Sequence, residues 1–154
     1  MEMALRVAIK LGGGLITDKG SMKKFDQKAV EKVVETLSSI SDLGASIVLV
    51  HGAGSFGHLL AKKWGIENGL DIQKEREQWE AVRMIRSDMR ELNNLIIGKM
   101  GEGGMECIGY PPSDWAKGTG ARFTGDVSIF EGRHEQPIPI TFGDVVDTDD
   151  ESKF

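Results

Sequence analysis

The residues best suited to chemistry lie in one stretch, His51-Gly52-Ala53-Gly54-Ser55-Phe56-Gly57-His58. Glycines let backbone N–H groups crowd round an anion, and a helix N-terminus beyond them adds positive potential. An imidazole beside such a loop can donate to a phosphate oxygen and titrates near neutral pH. His58 holds that place. The competing reading is a tight strand–helix turn whose glycines serve packing alone. A second cluster, Gly12-Gly13-Gly14, follows Lys10. A lysine near the exit of a buried strand is costly unless it meets an anion, and the glycines beside it would seat one. Otherwise it snorkels at a strand end. Lys19 passes the same mouth and, taken alone, reads as a solvated loop residue.

The elements that position these residues follow from periodicity. Residues 5–11 read as a first strand, and Ser46-Ile47-Val48-Leu49-Val50 as a second, buried one. Between them Asp26 caps a helix whose stripe is Val30, Val33, Val34, Leu37 and Ile40, stopped at Gly44. The helix after the histidine loop is read as Leu59 to Trp64, which puts His58 at its mouth. A long helix from about Lys74 to Met100 carries Trp79, Val82, Ile85, Met89, Leu92, Ile96 and Met100 at helical spacing. Residues 106–109 are a short strand, 114–125 are irregular, and 126–130 are a short helix or a strand. Residues 137–142 form a further strand. Its two prolines place it at an edge, or else lie at the strand start. Gly143-Asp144 ends it. Alternating strands and helices with apolar strands predict an α/β fold with a mostly parallel sheet covered by helices. Ligands bind such sheets at the carboxyl ends of the strands, where both glycine clusters lie.

Composition narrows the function. The 154 residues suit a single domain, 1–154, with 40% hydrophobic and 28% charged residues. A net charge of −5 argues against a nucleic-acid partner. Cys107 is the lone cysteine, which rules out a disulfide framework. No apolar run approaches the ~20 residues of a membrane span, and the N-terminus lacks a signal-peptide pattern. The expected compartment is the cytoplasm.

Together these motifs resemble the amino acid kinase superfamily and, within it, the isopentenyl phosphate kinases. The resemblance rests on Lys10-Leu11-Gly12-Gly13 with Ile16-Thr17-Asp18-Lys19, on the His51–His58 stretch followed by Ala61-Lys62-Lys63, and on Gly143-Asp144. It covers most of the chain in order. The Phe56-Gly57-His58 ending is the specific part, because that histidine marks the phosphate-monoester branch, which also holds the fosfomycin kinases. The resemblance implies a three-layer α/β/α fold and transfer of a phosphoryl group from Mg-ATP to isopentenyl phosphate. It implies that Lys10 reaches the transferring phosphates, that Gly12, Gly13, Gly14 and Gly54 lie by the nucleotide, and that Lys19 stabilises the transition state. It implies that Ala53, Gly54, Gly57, His58, Gly143 and Asp144 hold the substrate, with Lys10, Lys19 and His58 catalytic. No carboxylate cluster suggests a protein-built metal cage, so Mg²⁺ would ride on ATP. The substrate tail is expected against Trp79, Val82, Met84, Ile85 and Met89, and a homodimer is expected through the long helix. Two departures stand out. Gly14 replaces the usual serine, and the chain stops where the family's C-terminal nucleotide lobe would begin. A fragment, a kinase of another phosphate or phosphonate, and a non-catalytic prenyl-phosphate-binding module are the alternatives.

Overall fold

The computed structural model describes residues 5–154. β1 (Arg6–Leu11) leads into a single-turn α1 (Gly13–Ile16), and α2 (Gln27–Asp42) returns the chain to β2 (Ser46–His51). α3 (Gly54–Lys63) and α4 (Glu75–Glu102) follow. Then come β3 (Cys107–Gly109), α5 (Pro112–Trp115), a small hairpin of β4 (Ala116–Lys117) and β5 (Thr124–Gly125), and β6 (Ile138–Phe142). The main sheet runs β1-β2-β6-β3 with every pair parallel. The expected α/β class and parallel sheet are what forms.

Parallel partners share a face, so the register sorts the side chains. Leu11, His51 and Phe142 stand in one row, and Ile9, Leu49 and Ile140 in the row below. These meet Leu37 of α2, Phe56 of α3, and Val82, Met89, Leu92 and Ile96 of α4 in one apolar cluster. The other face of β1 and β2, with Ala8, Lys10, Val48 and Val50, is exposed or half-buried. Residues 5–154 thus lay their three long helices against one side of the sheet.

Local signals explain most boundaries. Asp26 accepts from the Ala29 N–H at 3.0 Å and opens α2. Gly44, at φ +78°, lets the chain leave it. α4 follows its apolar period to Met100 and one turn further. β6 sits between β2 and β3 rather than at an edge. Its prolines are tolerated because Pro137 precedes the strand and the ladder to β2 begins only at Ile140. Residues 127–130 take the helical alternative, as a 3₁₀ turn.

The largest difference is at the histidine stretch. α3 begins at Gly54, not Leu59, so His58 lies in its second turn. No side chain of the flanking residues caps it. The cap comes from a distant one, Thr17, whose Oγ1 accepts the Ser55 N–H at 3.0 Å.

Candidate active site

The two glycine clusters form one seam. A Cβ on Gly13 would overlap the backbone nitrogen of Gly54, and one on Gly52 would come within 2.7 Å of the Gly13 nitrogen. Gly54 has φ +50° and would drive a Cβ into Thr17. Thr17 is 2% exposed and closes the seam, since its hydroxyl also donates to the Gly13 carbonyl at 2.7 Å. Gly52 N–H donates to Leu11 O at 2.9 Å, and Gly143 N–H to His51 O at 3.0 Å. The exits of β1, β2 and β6 are therefore locked to one another.

Above this seam lies a cavity of about 430 Å³. Lys10, His58 and Asp144 supply its charged and polar side chains, and Gly52, Ala53, Gly57 and Gly143 its backbone lining. Ala61, Ile85, Phe142 and Val145 make an apolar wall. Ala53, Gly57 and Ala61 fall on one side of α3 because they recur every fourth residue. Gly57 is small because a Cβ there would press on Ala53 and on the Met89 sulfur of α4. Arg86 of α4 holds the far wall, donating to Val145 O and to Asp147, each at 2.8 Å.

Asp144 accepts from the Val145 N–H at 2.8 Å with one oxygen. Its other oxygen is buried without a protein partner. Burial raises the pKa of this carboxyl, against the opposing pull of Arg86 and Arg90.

Lys19 lies on the other side of the seam. Its ε-carbon and amine rest over Gly14, filling the space a Cβ would take. Glycine in place of serine therefore leaves room for this lysine. The loop that carries it is pinned by a Thr17–Phe25 bridge and by Lys23, which pairs with Asp88 at 2.9 Å and with Glu91. Gly12 leaves open space where a side chain would be.

Of the residues singled out in the sequence, Lys10, Ala53, Gly57, His58, Gly143 and Asp144 share the cavity. Gly13 and Gly54 build the seam, and Gly12, Gly14 and Lys19 are not among the residues that line the cavity. Of the residues expected at the tail, Ile85 alone lines the cavity. Val82 and Met89 are fully buried in the core, Met84 is 54% exposed, and Trp79 packs on Phe154. The helical phase of α4 decides this. Sequence reasoning missed the roles of Thr17, Arg86, His51 and Asn93, which act across the chain and leave no local pattern.

Residues 5–153 match the amino acid kinase family. This chain belongs to that family. Among its relatives, an isopentenyl phosphate kinase of Thermoplasma acidophilum is 31% identical over 144 residues, covering 94% of this chain and 55% of that protein. The isopentenyl phosphate kinase of Methanothermobacter thermautotrophicus is 28% identical, covering 96% of this chain and 57% of its own length. A solved isopentenyl phosphate kinase superposes with a TM-score of 0.84 at 26% identity, over 96% of this chain and 60% of the other. The chain thus spans little more than half the length of the curated relatives it matches. Within that family it is similar to isopentenyl phosphate kinases. Among the described residues no helix is long and apolar enough to cross a membrane.

Proposed function

We propose that residues 1–154 are one phosphate-binding lobe of an ATP-dependent small-molecule kinase, with isopentenyl phosphate as acceptor and isopentenyl diphosphate as product. The observation that carries this reading is the two-sided cavity. Lys10, His58 and the loop backbone suit a dianionic head, and Ile85, Ala61, Phe142 and Val145 suit a short apolar tail. The relatives' names point the same way.

The acceptor in such a transfer is a phosphate oxygen that is already ionised near neutral pH, since its second pKa is about 6. No general base is needed. What remains for the protein is to align two anions and offset their repulsion. Lys10 does this at the transferring phosphates, the His58 ring on the acceptor side, and Lys19, over Gly14, in the transition state. Gly12 to Gly14 suit the donor phosphates, because open space lies at Gly12 and the Lys19 amine lies over Gly14. Mg²⁺ would be carried by ATP and would screen its phosphates, with no protein-built cage for it among the described residues. This reading sets the reaction in the cytoplasm.

Calorimetric titration tests it. Isopentenyl phosphate should bind more tightly than inorganic phosphate, because only the former uses the apolar wall. His58→Ala should weaken both by roughly 1.5–3 kcal/mol, the range for a hydrogen bond to a charged group. His58→Gln should recover part of the loss. Equal binding by wild type and His58→Ala would make His58 a surface residue of α3 and remove the assignment to the isopentenyl phosphate kinase type.

A further inference from the structure

Among the described residues, His51 is the one ionisable side chain in the fully buried class, at 1% exposed. It is one of the residues at the cavity floor. Its ring stacks on Phe142 with centroids 5.0 Å apart and planes at 25°. A buried imidazole needs a partner for each nitrogen. Nδ1 lies 3.0 Å from the Gly52 carbonyl oxygen, and Nε2 lies 3.3 Å from Oδ1 of Asn93, itself 3% exposed. A carbonyl only accepts, so Nδ1 carries the proton. Burial lowers the ring's pKa and keeps it neutral. A neutral ring leaves Nε2 an acceptor, so we assign the Asn93 amide the flipped way, with its NH₂ rather than Oδ1 toward the ring, the two orientations having the same shape.

The bond to Gly52 matters because of what shares its peptide plane. The Gly52 carbonyl and the Ala53 N–H belong to one trans peptide and point in opposite directions. Drawing the carbonyl toward the buried ring turns the Ala53 N–H away from it. That N–H has no backbone partner among the described residues, and Ala53 lines the cavity. We propose that His51, backed by Asn93, is a positioning residue that holds the Gly52–Ala53 peptide with its N–H aimed at the bound phosphate. This rests on the phosphate-binding reading above.

The experiment pairs nitrogen-15 NMR with calorimetry on the 154-residue protein and its His51→Phe, Asn93→Ala and His58→Ala variants, with isopentenyl phosphate and inorganic phosphate as probes. In wild type, His51 should be the neutral Nδ1–H tautomer, and the Ala53 amide resonance should shift on adding either probe. His51→Phe keeps the stack on Phe142 and removes the hydrogen bond. It should lose roughly tenfold or more in affinity for both probes, the equivalent of one bond to a charged acceptor. Its Ala53 amide should no longer respond, even where its melting temperature stays near that of wild type. Asn93→Ala, one step removed, should show a smaller loss and serves if His51→Phe does not fold. Wild type that binds phosphate with an unmoved Ala53 amide, or His51→Phe that binds as wild type does, overturns the proposal and leaves the phosphate reading intact. Wild type that binds neither probe overturns that reading. The peptide orientation is then decided by the tautomer alone, and an Nε2–H ring overturns it.

Discussion

Asp144 shows how a single side chain can work against the fold that holds it. One oxygen is used, the other is buried without a partner, and burial outweighs Arg86 and Arg90 in setting its pKa. A carboxyl with a raised pKa favours the folded state while protonated. That contribution is complete below the unfolded value of about 3.9 and is lost as pH rises through the folded value. At pH 7 the ionised group therefore costs stability. Asp144→Asn should raise the melting temperature at pH 7 and give no gain near pH 3. Thermal melts at both values check this, and a variant less stable at pH 7 would mean that the carboxylate is paired with a cation in solution. The sequence marked Asp144 through its place after a strand. Its unpaired oxygen was not visible there, because it depends on how α4 closes over residues 143–147.

At the scale of elements, Thr17 is the decisive contact. It satisfies the first turn of α3 from a loop that lies across the seam. Thr17→Val keeps the shape and removes both bonds, leaving the Ser55 N–H and Gly13 carbonyl unpaired. The expected loss is about 1–3 kcal/mol, against much less for Thr17→Ser, measurable by urea unfolding. Equal stability of the two variants would show that water replaces the hydroxyl. This contact also explains where sequence reading stopped short. α4 was legible because seven apolar positions keep one helical phase. α2 was legible because Asp26 and Gly44 bracket it. α3 was read five residues late because its own sequence has no cap, only glycines whose fit depends on Gly13 and Thr17. The interior position of β6 was equally hidden, since prolines speak against an inner strand until the ladder's starting point is known.

For the molecule as a whole, the uneven cover of the sheet has consequences. An apolar groove of about 610 Å³ runs between β1 and α2, lined by Ile9, Leu11, Leu15, Val33, Leu37 and Ile40. The opposite face of β1 and β2 is half-exposed. Contiguous apolar surface of this kind promotes association. We expect the chain to self-associate as its concentration rises, measured by sedimentation velocity. A monomer with a sharp, high-temperature melt at every concentration would contradict this. Steady-state diphosphate synthesis by this chain alone should fall well below the ~1–100 per second usual for kinases, since it spans little more than half of its relatives.

The position of β1 at the end of the β1-β2-β6-β3 order sets a directional rule for any such association. Its outer row of donors and acceptors accepts a new strand in either sense, but the sheet it extends runs one way throughout. Two identical copies whose β1 edges pair about a two-fold axis perpendicular to the sheet meet with those strands antiparallel. A closed pair through this edge would therefore place one antiparallel junction in an otherwise parallel sheet. Only a strand of different sequence, entering with the polarity of β1, can continue the sheet without reversing it. The outward-facing amides of β1, followed by deuterium exchange, would report which kind of neighbour arrives.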